Sequence, residues 1–264
     1  YNSGHHIGYK EISNNHFQNV RTAIKLGGSF HDTTRIEFNV MDSVEVGIKG
    51  ERTGQSHELN FYSGLLLINS NSILNVSKQA IHLSPQASGT AHVKICNNML
   101  SGGQLWSFIR YASFQSRKIN HYRTLQVNQI LSGEVLNNSI WGGFVLGNVG
   151  SFKIRNNAIY SDLQSGFLYR AQPKYHCQNN SFYSPHPTDS FAFGYILGRY
   201  LDITSLPDSS NNIWANPYFR NTSDLHACSP LLQSAGKPNS LAFDIDGESR
   251  IGNPDIGADE FKHS

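Results

Sequence analysis

The residues best suited to chemistry in this chain are basic and recur at intervals. The short apolar segments "AIKL", "GIKG", "AIHL", "FIRY", "FVLG" and "FLYR" offer one column of apolar residues and, one position on, a second column. If Ile24, Ile48, Ile81, Ile109, Val145 and Leu168 point inward, strand alternation turns Lys25, Lys49, His82, Arg110, Leu146 and Tyr169 outward. Four basic side chains would then stack on neighbouring strands about 4.8 Å apart, where they repel unless something anionic lies across them. His82 adds a group that titrates near neutrality, so the set reads as anion binding joined to proton transfer. Ala23, Gly47 and Ala80 are expected beside this column as an open floor.

What must position these residues is a repeat. The unit "I-x-x-N-x-Φ", with Φ a large apolar residue, recurs as "ISNNHF", "IEFNVM", "INSNSI", "ICNNML", "VLNNSI", "IRNNAI" and "CQNNSF". Its anchors are Asn15, Asn39, Asn71, Asn98, Asn138, Asn157 and Asn180, with Asn212 in a looser copy. Three residues before each anchor stand Ile12, Ile36, Ile68, Ile95, Val135, Ile154 and Cys177. Two residues after it stand Phe17, Met41, Ile73, Leu100, Ile140, Ile159 and Phe182. The spacing, interrupted by Gly, Asn and Ser, is too short for a helix pair and suits short strands. One such unit cannot bury its own apolar face, but a stack of them closes a core. The composition agrees: of 264 residues, 15% are charged and 38% hydrophobic, and the net charge is +2, a mixture that fits a β-rich, turn-rich single domain.

With these columns in place, the chain resembles the right-handed parallel β-helix proteins of the pectate-lyase type. The tail "CSPLLQSAGKPNSLAFDIDGESRIGNPDIGADEF" is similar to the closing segment of many secreted bacterial β-helix proteins. The resemblance implies an all-β solenoid of about seven to eight coils over residues 1–220, with 221–264 as a C-terminal capping segment. The Asn column would be a ladder at a tight turn where a left-handed backbone is tolerated. The opening "GHHIGYKEISNNHF" reads as an internal coil, so earlier coils are expected to be missing or to sit on another chain.

The resemblance also implies a function class: a secreted, periplasmic or cell-surface protein acting on an acidic polysaccharide. A lyase of this kind takes the proton at C5 of a uronic acid and eliminates the 4-linked sugar. Lys49 or His82 would be the base and Arg110 the carboxylate clamp, while Lys25 and Arg52 bind neighbouring sugars. Glu51 either neutralises the basic column or assists at the bound sugar. Calcium is compatible with a lyase, but no spaced DxDxDG loop marks a site, and no zinc pattern is present. A glycoside hydrolase would draw instead on Glu37, Asp42, Glu45, Glu51 and Glu58. A non-catalytic β-helix that binds glycan is the third reading.

The stretch from Asn98 to Asn138 is the longest between anchors, and there Trp106, Tyr111, Phe114 and Tyr122 alternate with Arg110, Arg117, Lys118 and Arg123. Aromatic faces and cations so mixed suit a glycan, with Trp106, Tyr111 and Arg117 as the contacts. With so little net charge, nucleic acid is not an expected partner. Between Glu58 and Glu134 there is no acid, while Lys78, Lys94 and several arginines fall there, a one-sign window that suggests an anionic partner. Asp244, Asp246, Asp255, Asp259 and Glu260 are expected to staple the C-terminal segment rather than bind calcium. Cys96 and Cys177 lie three coils apart, roughly 14 Å, beyond the ~7 Å Cα limit of a disulfide. No apolar run approaches the roughly 18 residues that a membrane span requires.

Overall fold

The computed structural model describes residues 10–27, 29–30, 32–51, 60–61, 64–85, 87–88, 92–102, 124–128, 130, 132–147, 150–161, 167–170, 175–185, 194–196, 199–201 and 210–261. Among them the chain is nearly all β, and its three long sheets are parallel throughout. The first contains Lys10–Ser13, Thr34–Glu37, Leu65–Asn69, His92–Cys96, Ser132–Leu136, Ser151–Arg155 and Tyr175–Gln178, in that order. The second runs from His16–Gln18 through Val40–Asp42, Ser72–Val76, Met99–Gly102, Ser139–Trp141, Ala158–Tyr160 and Ser181–Tyr183 to Ile213–Trp214. The third holds Thr22–Lys25, Val46–Glu51, Gln79–Ser84, Leu125–Asn128, Phe144–Gly147 and Phe167–Arg170. The chain visits first, second and third sheet in turn and then returns one strand further along, an arrangement consistent with a β-helix.

Apolar columns explain why the strands sit in this register. Ile12, Ile36, Ile68, Ile95, Val135, Ile154 and Cys177 are direct partners along the first sheet. Phe17, Met41, Ile73, Leu100, Ile140, Ile159 and Phe182 are partners along the second. Together with Ile24, Ile48, Ile81, Leu125 and Phe144 of the third sheet they form one continuous core. Each such side chain is worth about 1.5–3 kcal/mol when fully buried, and a one-residue slip would turn a whole strand inside out.

At the turn between first and second sheet, each anchor asparagine bonds to its neighbours above and below. Asn98 Nδ2 donates to Ile68 O in the circuit before (3.0 Å), to Cys96 O in its own (2.8 Å) and to Asn138 Oδ1 in the next (3.0 Å). Its backbone N–H reaches the same Asn138 oxygen at 3.0 Å. The pattern runs unbroken from Asn15 through Asn39, Asn71, Asn98, Asn138, Asn157 and Asn180 to Asn212. The left-handed backbone falls one residue earlier than the ladder. Asn14, Asn97, Asn137, Asn156, Asn179 and Asn211 take φ between 51° and 56°, and Phe38 and Ser70 do so where the doublet lacks its first Asn. In each "NN" pair the first residue makes the bend, which asparagine tolerates, and the second makes the bonds.

The third sheet differs from the sequence expectation in two places. The strand after Gln79–Ser84 is Leu125–Asn128, so Gln126 takes the place next to His82, the place expected for Arg110. In the next strand Phe144 and Leu146 are the buried pair, which moves Leu146 from the expected outward column into the core. The "FVLG" segment is apolar at every position, so sequence alone carried no signal to fix its phase.

The C-terminal segment lies along the flank of the stack. Thr222 O accepts from Ser101, Phe243 O from Asn97, Lys237 O from Asn156 and Ala235 O from Asn179. Phe219, Leu225, Leu232 and Ile256 pack with Leu74, Met99 and Ala158 in a second apolar cluster. It is a strap across successive circuits. Arg250 is the buried tie: it pairs with Glu260 and donates to Gly257 O at 3.0 Å and Asn97 Oδ1 at 3.3 Å.

Replacing Asn138 by Ala would remove its bonds to Ile95 O and Leu136 O and leave the buried Asn98 N–H without its acceptor, and should cost about 3 kcal/mol. Asn15→Ala, at the exposed first rung, should cost under about 1 kcal/mol, a contrast that chemical denaturation can measure. Phe38 is 53% exposed at a φ of 55°, so Phe38→Asn should raise stability by about 1 kcal/mol in the same assay.

Candidate functional site

On the third sheet, Lys25 and Lys49 are direct partners, and so are Lys49 and His82. The three basic residues therefore occupy equivalent positions on consecutive circuits, one strand spacing apart, about 4.8 Å. Lys25 is exposed, while Lys49 and His82 are partly buried. Gln126 extends the row, and its Oε1 accepts a 2.8 Å hydrogen bond from Gln79 Nε2. By register, the Val145 and Leu168 positions follow. Such a row can hold an anionic, elongated ligand perpendicular to the strands, with an imidazole next to an ammonium at its centre.

The expected floor beside the row is absent. Ala80 is fully buried, Ala23 packs on the core, and a Cβ on Gly47 would meet Ile73 Cγ2 at 2.5 Å. These small residues face inward, where the second sheet crowds the third. Both Ala80 N and Ile81 N donate to Thr124 O at 3.0 Å, so two successive residues share one acceptor and the simple alternation breaks there. Gly47 lacks a side chain because the core has no room for one. Glu51 stands at the strand end as the partner of Ser84. Arg52, Trp106, Arg110, Tyr111 and Arg117 lie outside the described residues, as do His57, Glu58, Phe114, Lys118, Tyr122 and Arg123.

The carboxylates considered for hydrolysis are dispersed. Glu37 is on the first sheet with Asn69 and Arg35, Asp42 is on the second with Asn75, Glu45 lies before the third with Lys78 and Arg21, and Glu51 ends a third-sheet strand. Four of the five expected acids thus occupy separate faces or corners. Glu58 is outside the described residues.

Among the described residues, two lysines of the acid-free window meet acids of neighbouring circuits. Lys78 pairs with Glu45 of the circuit before. Lys94, Glu134 and Lys153 are consecutive partners along the first sheet, with Glu134 3.7 Å from Lys94 and 2.9 Å from Lys153. Burial alone would raise the Glu134 pKa, but the Lys153 hydrogen bond and the charges of Lys153, Lys94 and His92 outweigh it and hold the carboxyl below its ordinary value. At His92, 3.1 Å from Ser132 Oγ, burial lowers the imidazole pKa against the pull of Glu134.

A third polar group was not visible in the sequence. On the strap, His226 Nδ1 contacts Asp224 Oδ1 and His226 Nε2 lies 2.9 Å from Asp246 Oδ2. Asp259 faces the same imidazole, and burial, with the nearby carboxylates of Asp244, Asp246 and Glu248, pushes its carboxyl up to about 7 against the pull of His226. Burial would lower the His226 pKa, but its two aspartate partners prevail and raise it. Asp244 and Asp255 do staple the segment. Asp244 accepts from the N–H groups of Asp246, Glu248 and Glu260, and Asp255 from those of Ser234 and Phe261. Asp246 and Asp259 turn instead to His226. No contiguous motif foretold this, because the four residues come from three separated stretches of the strap.

The two buried cysteines are poor nucleophiles. Cys96 and Cys177 are free and buried, and burial pushes both thiols up to about 12, so the reactive thiolate is scarce at neutral pH. Cys228 is free and exposed.

Compared with family models, curated proteins and solved structures, the chain gives no significant match to any of them. Among the described residues no helix is long and apolar enough to cross a membrane.

The first-sheet ladder makes a pH-dependent contribution to stability. Because the folded-state pKa of Glu134 is lowered, its contribution is present above the unfolded value near 4.5 and is lost as pH falls through the lower folded value. Glu134→Gln should therefore destabilise the protein by about 1 kcal/mol at neutral pH. The gap between variant and wild-type melting temperatures should close as pH falls through the lowered folded value of Glu134.

Proposed function

We propose that this chain is a right-handed parallel β-helix of the pectate-lyase type, secreted or held at the cell surface, that acts on an acidic polysaccharide by β-elimination. The observation that carries this reading is the row Lys25–Lys49–His82, three basic residues in register on consecutive circuits. A uronate polymer repeats its charge along its length, so a row of cations at a fixed spacing suits it better than a compact anion. The parallel sheets and apolar columns support the scaffold, while the pectate-lyase likeness rests on the repeat and on the tail with its "DIGADEF" ending.

In the proposed reaction Lys49 neutralises the uronate carboxylate, which stabilises the charge that develops when C5 loses its proton. His82, one strand away, takes that proton as general base. The C5–H electron pair forms the C4–C5 double bond, the C4–O bond breaks, and the leaving oxygen acquires a proton. Lys25 binds the next acidic sugar. Glu37, Asp42 and Glu45 are each engaged with a different partner, Asn69, Asn75 and Lys78, which favours this reading over hydrolysis by paired carboxylates.

Incubation with alginate, pectate and glycosaminoglycans, with and without calcium, should raise the ultraviolet absorbance of an unsaturated uronide on one of them. His82→Ala should lower that rate by about 100-fold or more, and Lys49→Ala should weaken binding in a salt-dependent manner. Reducing ends released without the absorbance would replace elimination by hydrolysis. Binding weakened by Lys49→Ala, with no product of either kind, would make the chain a glycan-binding domain.

A further inference from the structure

We propose that His226, Asp246 and Asp259 form a binding site for a divalent transition-metal ion of the zinc or manganese kind, which locks the flanking strap. The inference is independent of the glycan reading, since the site is on the strap and not on the third sheet.

One nitrogen and two carboxylate oxygens, drawn from separate stretches of the strap, come within 4.8 Å of one another. A metal with ligand distances near 2.0–2.2 Å fits between them after a small inward adjustment of side chains. The imidazole is already oriented to ligate, because the Asp224 carboxylate holds Nδ1 and so aims Nε2 at the two acids. A carboxylate behind a ligating histidine fixes the ring and makes it a better donor. Arg220, 3.2 Å from Asp224 Oδ2, and the His226 N–H, 3.2 Å from Asp224 Oδ1, hold that orienting group in turn.

The other two donors are equally fixed at the backbone. Asp246 sits in a turn closed by hydrogen bonds from its own N–H and that of Glu248 to Asp244 Oδ1, at 2.9 and 2.7 Å. Asp259 is flanked by Ala258, whose N–H bonds Ser139 Oγ at 3.1 Å, and Glu260, whose N–H bonds Asp244 Oδ2 at 2.9 Å. Among the described residues the Asp259 carboxylate makes no hydrogen bond, although it is partly buried and faces the imidazole. Its oxygen can therefore turn to an ion held between it, Asp246 and the imidazole without giving up a hydrogen bond among the described residues.

The donor set selects the ion. Imidazole with two carboxylates suits zinc or manganese, whereas calcium prefers six to eight oxygens. Three protein ligands leave one position of a tetrahedral site for water. Bound there, the ion would join the stretch around His226 to those around Asp246 and Asp259, and its binding free energy would become stability of the strap.

The test uses the full chain after treatment with a chelator, followed by titration calorimetry and thermal melting with zinc, manganese or calcium chloride. Zinc or manganese at about a hundredfold above its Kd should raise the Tm by roughly 5 °C, and calcium should not. His226→Gln and Asp259→Asn should each remove most of that increment. Asp259→Asn deletes no hydrogen bond among the described residues, so its metal-free melting temperature should stay within a few degrees of wild type and keep the comparison valid. The proposal fails if neither transition metal shifts the Tm, if Asp259→Asn responds as wild type does, or if calcium alone stabilises the protein irrespective of His226.

Discussion

Everything in this molecule depends on the asparagine amide that bridges one circuit to the next. A parallel sheet supplies backbone bonds along each strand, but it does not by itself say where a strand must end and the chain must turn. The ladder does so, since each amide satisfies a carbonyl in its own circuit and one in the circuit before, and reaches the oxygen of the next rung. Buried polar groups must be paired, and here one side-chain type at one position pairs them at every turn. The register of the first and second sheets, and so the alignment of the apolar columns, follows from that geometry.

Position on the third sheet is set more loosely. No ladder runs beside it among the described residues, and the alternation is interrupted where Gly47 and Ala80 both face inward. The row Lys25–Lys49–His82 survives because Ile24, Ile48 and Ile81 are firmly buried beneath it. Gln126 and the apolar positions beyond it then limit the cationic stretch to one part of the sheet. On the first sheet charge is balanced between circuits, as Glu134 shows by standing between two lysines that are distant in sequence.

Much of the scaffold was legible in the sequence, and the reasons are local. An "NN" doublet marks a turn because its first residue tolerates the left-handed bend and its second can bond in both directions, and the flanking Ile and Φ columns give the phase. The register of the first two sheets followed from those three signals. In the third sheet the signals weaken: "FVLG" is apolar throughout and its phase could not be read. The place beside His82 went to Gln126 because the long stretch after Met99 offers several candidate strands. In the one-sign window, Lys78 and Lys94 meet their acids on neighbouring circuits, a pairing that linear sequence does not display. His226 stayed hidden for the same reason, its partners Asp224, Asp246 and Asp259 being joined only by the folding of the strap.

The strap also sets an order on assembly. A stack of repeats is held by nearest-neighbour contacts and can grow from the first circuit as the chain emerges. The strap comes last, yet it covers Leu74, Met99 and Ala158 on circuits finished long before. Until the final stretch is made, a nearly complete stack presents that apolar flank to solvent, where another unfinished chain can dock on it. Loss of the strap would leave the asparagine ladder intact and yet yield a chain prone to aggregate, so solubility and register are secured by different parts of the polypeptide.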